Sequence, residues 1–198
     1  LPNTARDVTP LPPAETPAAI FVGVAYYPPN REAIRWLLTD IWPRVRARVP
    51  DARLLVVGEG AADAAGDAET PGVEILGFAP DLEPVYRRAA FAVCPIRRGS
   101  GTRIKIIEAA LYARPTVATR IGAEGLHFQH PDEILLADDA GCFADACVQL
   151  LTDRPQCARL GEAALKKARG DYAPAAVLGQ LVRIVQDQLS GPAGTAPS

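Results

Sequence analysis

The sequence predicts an α/β fold, a parallel sheet covered by helices on both faces. Short apolar runs recur along the chain and are continuous rather than alternating, the pattern of strands buried on both sides. Between most of them lie stretches with apolar residues at helical spacing, and strands that alternate with helices imply right-handed parallel crossovers. With 198 residues, 48% of them apolar, the chain is long enough for one sizeable core and short for two domains.

Residues 1–17 are proline-rich and aperiodic, which predicts an extended linker. The first strand is "AAIFVG", Ala18 to Gly23. After "VAYYPPN", Asn30 is expected to cap a helix through "REAIRWLLTDIW", with Ile34, Leu37, Leu38, Ile41 and Trp42 on one stripe and a kink or restart at Pro43. Further strands are expected at "RLLVVG" (53–58), "VEILGF" (73–78), "AAFAVCP" (89–95), "PTVAT" (115–119) and "EILLA" (133–137). Helical patterns occupy "DLEPVYRRA", "RIKIIEAALYA", "CFADACVQLLT", "PQCARLGEAALKKAR" and "PAAVLGQLVRIVQDQL". The domain is thus expected over residues 18–189. Residues 190–198, "SGPAGTAPS", are small and polar and read as a disordered tail.

The net charge of -2 provides no global basic field for nucleic acid, so any anion site must be local. No apolar run approaches the roughly 20 residues of a membrane span, and the first residues carry no signal-peptide pattern. The expectation is a cytoplasmic protein. Cys94, Cys142, Cys147 and Cys157 lack zinc-site spacing and are read as reduced core residues. His127 and His130, the two histidines, fall in a turn with no third ligand nearby, so no metal is expected. The chain starts at Leu1 and contains no methionine, which suggests a piece of a longer protein.

Ligands of open parallel sheets bind beyond the carboxyl ends of the strands. Three segments of interest follow strands: "GVAYYPPN", "GEG" and "IRRGSGTR". In the last, Gly99 and Gly101 flank Ser100 ahead of a helix, where backbone amides and the helix dipole can hold a phosphate. Arg97, Arg98, Arg103 and Lys105 surround that helix start. Cations there oppose the dipole, so their presence suggests a missing anion. The alternative is a solvated loop whose arginines pair with neighbouring acids. Glu108, about one turn beyond Lys105, is placed to accept hydrogen bonds from vicinal hydroxyls, as acidic residues do with ribose. A redox dinucleotide enzyme would need GxGxxG after the first strand, and "GVAYYPPN" has no second or third glycine.

From about Ile20 to Leu126 these motifs, in this order, resemble the C-terminal, donor-binding half of the group 1 glycosyltransferases of GT-B fold. The similarity is to the branch with a "YxPN" first loop and a "GxGxxxKxxEA" helix start. "LPNTARDVTP" resembles that family's interdomain linker. The resemblance implies a Rossmann-like sheet, a missing N-terminal acceptor-binding domain, and a nucleotide-sugar donor as ligand. It implies that Glu108 binds the ribose hydroxyls, that the amides of Gly101 and Thr102 hold the diphosphate beside Gly23, and that Lys105 supplies a cation there. Gly77 and Phe78 match the segment whose backbone reads the base. Tyr26, Arg98, Gly99 and Ser100 complete the expected donor site, and Arg103, Lys105 and Glu108 are the expected catalytic residues.

Two departures stand out. Ser100 replaces the first member of the family's glutamate pair, and the first loop offers Tyr26, Tyr27 and Asn30 where relatives have Arg and Lys. The function implied is retaining transfer of a sugar from a nucleoside diphosphate to an acceptor without a metal, in surface polysaccharide or glycolipid synthesis. Any membrane attachment would belong to the missing half. A nucleotide-sugar epimerase of the same fold, or a catalytically degenerate nucleotide-binding module, remains as the alternative.

Overall fold

The structure, a computed structural model, describes residues 8–66, 70–99, 101 and 103–189. The six strands are β1 (Ala18–Val22), β2 (Arg53–Val57), β3 (Val73–Gly77), β4 (Phe91–Cys94), β5 (Thr116–Ala118) and β6 (Leu135–Leu136). Helices α1 (Pro28–Trp36) and α2 (Trp42–Arg48) follow β1, α3 (Ala61–Ala65) follows β2, α4 (Glu83–Arg88) follows β3, and α5 (Ile104–Leu111) follows β4. Helices α6 (Ala140–Thr152), α7 (Arg154–Asp171) and α8 (Pro174–Leu189) end the chain after β6. Among these described residues no helix is long and apolar enough to cross a membrane.

All strand pairs are parallel, in the order β3-β2-β1-β4-β5-β6. The winding reverses between β1 and β4, and a crevice opens beyond the carboxyl ends of strands at such a switch point. Side chains of the central strands alternate between two buried faces. Ile20, Leu55, Val57 and Ala92 pack with Val85 and Tyr86 of α4 and Tyr112. Phe21, Leu54, Val56, Phe91 and Val93 pack with α1, α2 and α6 through Ile34, Trp42 and Phe143. Burial on both faces explains why the strands read as unbroken apolar runs.

The expected linker is partly anchored. Leu11 is buried, its amide donates to the carbonyl of Tyr112, and the buried guanidinium of Arg114 donates to the carbonyls of Leu11, Pro12 and Tyr86. Residues 1–7 and the expected tail lie outside the described residues.

Two local readings, of Asn30 and Cys142, need correction, and that of Pro43 gains detail. Asn30 does not cap α1: the helix begins two residues earlier, at Pro28, with Tyr27 at its N-cap. Proline is at home in a first helical turn because its missing N–H has no partner there anyway. At Pro43 the helix restarts, as one of the two readings has it: a π-helical turn over Leu37–Ile41 leads into α2, which holds the proline in its first turn. The amide of Trp42 reaches back to the carbonyl of Leu37, five residues away, which widens the helix just ahead of the proline ring. Cys142 is exposed, unlike Cys94, Cys147 and Cys157, because it lies in the first turn of α6. Its amide donates to Asp139, which caps α6 as the paired aspartates of "LADDAG" suggest.

Helix α7 crosses the chain just after α5 at Gly161, where a Cβ would lie 2.4 Å from the carbonyl oxygen of Ala113. That oxygen belongs to the backbone and cannot swing aside. Gly161→Ala is expected to destabilise the fold by about 1–3 kcal/mol. Gly170→Ala, on the same helix with open space around it, is expected to be neutral or to stabilise by up to about 1 kcal/mol. Urea denaturation of the two variants checks the contrast.

Candidate functional site

Strand β1 ends at Gly23, whose amide still donates to Val57 at 2.8 Å. A Cβ at Gly23 would come within 2.8 Å of Lys105 Nζ and 2.9 Å of the Asn30 amide, so its absence makes room for both side chains over the strand end. Beside it, Gly58 at φ +147° would place a Cβ 2.0 Å from the Gly23 carbonyl oxygen. The exits of β1 and β2 therefore meet backbone to backbone.

The loop after β4 is laid against the loop after β1. Gly99 (φ +100°) and Gly101 (φ +136°) occupy backbone conformations that L side chains rarely adopt. A Cβ at Gly99 would also lie 2.7 Å from Pro29 and 3.0 Å from the Tyr27 hydroxyl. Ser100 and Thr102, both expected site residues, lie outside the described residues. Helix α5 then starts with Arg103 at its N-cap, without a side-chain cap and without an acidic residue in the first turn. Its open amides and positive dipole end suit an anion.

The four cations of this region have separate fates. Arg97 donates to Oε1 of Glu32 at 3.0 Å and lies 4.6 Å from the centre of the Trp36 ring. Arg98 is exposed, and its Nε contacts the other oxygen of Glu32 as an ion pair without hydrogen-bond geometry. For these two, pairing with a neighbouring acid is what the structure shows, and Arg98 is not presented as a free cation. Arg103 needs a larger correction. Only 5% exposed, it donates to the carbonyls of Gly99 and Ile121, each at 2.9 Å. One terminal nitrogen of its guanidinium ties the glycine loop to Ile121, while its buried Nε has no hydrogen-bond partner among the described residues.

Lys105 differs from all three. Its ammonium donates to Oδ1 of Asn30 at 2.7 Å and sits 4.7 Å from the Phe21 ring centre. Among the described residues no carboxylate pairs with it. Burial pulls its pKa below the usual lysine range, and the charge of Arg103 acts in the same direction, partly opposed by Cys94.

Glu108, about a turn further along α5, is half-buried and faces an open cavity of about 570 Å³. Ala79, Pro80 and Leu82 line that cavity from the segment after β3, with Tyr112 from the end of α5 and Thr9 from the lead-in chain. Burial raises the Glu108 pKa, and a hydrogen bond from the Tyr86 hydroxyl at 3.5 Å works against that rise. Gly77 (φ +65°) turns the chain out of β3 into this region, with Phe78 73% exposed beside it. Tyr26, 60% exposed, leans over Gly60, where a Cβ would lie 3.1 Å from its ring. Such rings are available to a ligand rather than to the core. A second cavity, about 220 Å³ and mostly apolar, lies between Leu11–Pro17 and α7 and contains none of the expected site residues.

Sequence reasoning missed Glu32 and Tyr86. Tyr86 looks like any apolar helix position, and its stacking on Tyr112 is what carries its hydroxyl to Glu108. Glu32 lies on α1, 65 residues from Arg97; no local pattern links the two. Among the described residues no cluster of three or more His, Cys, Asp or Glu is placed to hold a metal ion. Tyr86→Phe removes the hydrogen bond that favours the Glu108 carboxylate, so the Glu108 pKa is expected to rise further. Carboxyl-carbon NMR titration reads this directly, and an unchanged pKa would show that the contact has no electrostatic effect.

A curated relative, an uncharacterized 44.6 kDa protein in the cps region of Klebsiella pneumoniae, is 25% identical over 134 residues, covering 63% of this chain and 34% of its own length. TarM from S. aureus, solved in complex with fondaparinux, alpha-GlcNAc-glycerol and UDP, superposes at a TM-score of 0.75 with 16% identity, over 91% of this chain and 38% of TarM. HepE from Anabaena, solved with UDP and glucose, gives 0.66 with 17% identity, over 86% and 48%. The C-terminal domain of LpcC, a glycosyl transferase group 1 family protein from Francisella tularensis, gives 0.61 with 18% identity, over 82% and 88%. The chain thus spans about a third of the curated relative, and the structural likenesses show a shared fold. The family of group 1 glycosyl transferases matches residues 16–153, well over half of the sequence. This chain belongs to the group 1 glycosyltransferase family.

Proposed function

We propose that this chain is the donor-binding domain of a retaining glycosyltransferase that transfers a sugar from a nucleoside diphosphate to an acceptor. The observation that carries the proposal is α5, which presents Lys105 without a carboxylate partner, and Glu108 at the edge of an open cavity, behind a glycine loop at the switch point of the sheet. The diphosphate lies against the amides of the glycine loop and the α5 terminus, near Lys105. Glu108 accepts from the ribose hydroxyls, and the segment from Gly77 and Phe78 borders the base.

In transfer, the bond between the anomeric carbon and the diphosphate oxygen breaks and its electron pair leaves with the diphosphate. The acceptor oxygen bonds to the same face of the sugar, and its proton passes to the departing diphosphate. Negative charge grows on the leaving oxygens, and donors already aimed there stabilise the transition state without reorganising. In this proposal Lys105 and the loop amides take that role in place of a metal, and Arg103 serves by holding the loop in shape. The acceptor and the facing wall of the cleft belong to a further domain, as the short coverage of relatives suggests. The chain alone therefore binds donor without transferring it. A role in surface polysaccharide or glycolipid synthesis is part of the proposal, supported by the relative named for a cps region.

UDP is the nucleotide to try first, because it is present in the TarM and HepE complexes. Calorimetric titration with UDP, GDP and ADP is expected to show one preferred nucleotide, and Glu108→Ala to weaken it by more than about 1 kcal/mol. No binding to any of the three would sink the donor-site reading. The affinity also has a predicted pH profile. Binding needs the Glu108 carboxylate, so it falls as pH drops through a pKa above the ordinary glutamate value. It needs the Lys105 ammonium, so it falls again as pH rises through a pKa below the ordinary lysine value. Titration across the pH range checks both limbs, and loss of the acid limb in Glu108→Gln assigns it.

A further inference from the structure

We infer that Asn30 is a positioning residue for the anion-binding cation, a neutral amide that holds Lys105 over the end of β1 and leaves its charge uncompensated. The inference rests on the donor-site reading above.

Asn30 is 8% exposed, in the first turn of α1. Both ends of its amide are occupied. Nδ2 donates to the carbonyl of Val24 at 2.9 Å, and Oδ1 accepts from Lys105 Nζ at 2.7 Å. These bonds settle which way the amide faces, because a lysine ammonium can only donate and a carbonyl can only accept. A flipped amide would lose both. The ammonium is therefore bounded by the Asn30 oxygen, by the Phe21 ring, and by Gly23, where even a methyl group would collide with the Lys105 and Asn30 side chains.

The chemistry at position 30 is specific. The position needs an acceptor strong enough to orient an ammonium and a donor for the Val24 carbonyl, with no net charge. Aspartate would hold Lys105 as closely but would cancel its charge and turn an oxygen toward the Val24 carbonyl. Alanine would leave the long side chain without a hydrogen bond to fix it. The same loop pair contains the opposite solution, since Glu32 on α1 pairs with both Arg97 and Arg98 and offsets one of their two charges. Two residues apart on one helix, a carboxylate partly offsets the charge of a pair of arginines and an amide leaves that of Lys105 whole. Because the other bond of Asn30 is to the first loop, Lys105 takes its position from the backbone after β1 rather than from its own helix alone.

The test is a double-mutant cycle read by binding. UDP and uridine are titrated into the wild-type chain and into Asn30→Asp, Asn30→Ala, Lys105→Met and the double variant Asn30→Ala/Lys105→Met, with thermal unfolding to confirm that each is folded. Asn30→Asp and Asn30→Ala are each expected to weaken UDP by about tenfold, the size of a charge-assisted contact, with uridine unchanged. In the Lys105→Met background the Asn30 substitution is expected to add nothing, because its effect passes through the missing ammonium. Losses that simply add, or a loss shared equally by uridine, would assign Asn30 a structural role and overturn the inference. So would UDP affinity that ignores both Asn30 substitutions in a wild-type chain that binds UDP normally. A wild-type chain that binds neither ligand overturns the donor-site reading first, and this inference with it.

Discussion

Parallel pairing of β1 with β2 on one side and β4 on the other is the constraint from which the site follows. Crossovers leave β1 in one direction and β4 in the other, so no helix covers the gap between their carboxyl ends. Chain from both exits must then share that gap, and the glycines show how tightly. Gly23, Gly58 and Gly99 each stand where a Cβ would collide with a neighbouring loop or side chain. The crevice is an outcome of topology, while the close fit of its walls is an outcome of these three missing side chains.

Burial decides what each cation there can do. Arg103 lies deepest, and one terminal nitrogen of its guanidinium bridges the carbonyls of Gly99 and Ile121, which turns a charge into a brace. Arg97 and Arg98 are more exposed, where ion pairs with Glu32 contribute little to stability and the single carboxylate offsets one of their two charges. Lys105 is intermediate. Buried enough to lie over a ring and against an amide, it has no acid among the described residues to neutralise it, and the low dielectric around it strengthens its pull on an anion. Glu108 follows the same logic with opposite sign: partial burial destabilises its charge, and the Tyr86 hydroxyl restores part of what burial removes. Both groups are thus strained toward neutrality until a ligand arrives, as is common where side chains are arranged for binding rather than for stability.

Much of this was legible in the sequence. All six strands fall within their expected runs, because strands buried on both faces must be apolar at every position and the turns between them must not be. Gly99, Gly101, Lys105 and Glu108 were legible as a group because a glycine loop and one helical turn place them together by local geometry alone. Helix α3, only five residues of mostly alanine, carried no periodic signal. The π-helical turn before Pro43 reads as a break, since the sequence shows a missing amide but not the widened turn that absorbs it.

By itself, then, the sequence determined the α/β alternation, the family, and the loop and helix on which the candidate chemistry sits, all properties that depend on periodicity, composition and short spacings. Only the tertiary structure decided the use of each charge. Arg103 and Lys105 are two residues apart and look equivalent as text, yet one points under the loop to Ile121 and the other across to Asn30, 75 residues away. Glu32 and Tyr86 likewise acquire roles only when β1, β3 and β4 bring their following helices to one edge. The reason is that the charge state and reach of a side chain depend on burial and on non-local partners, which a fold supplies and a stretch of sequence does not.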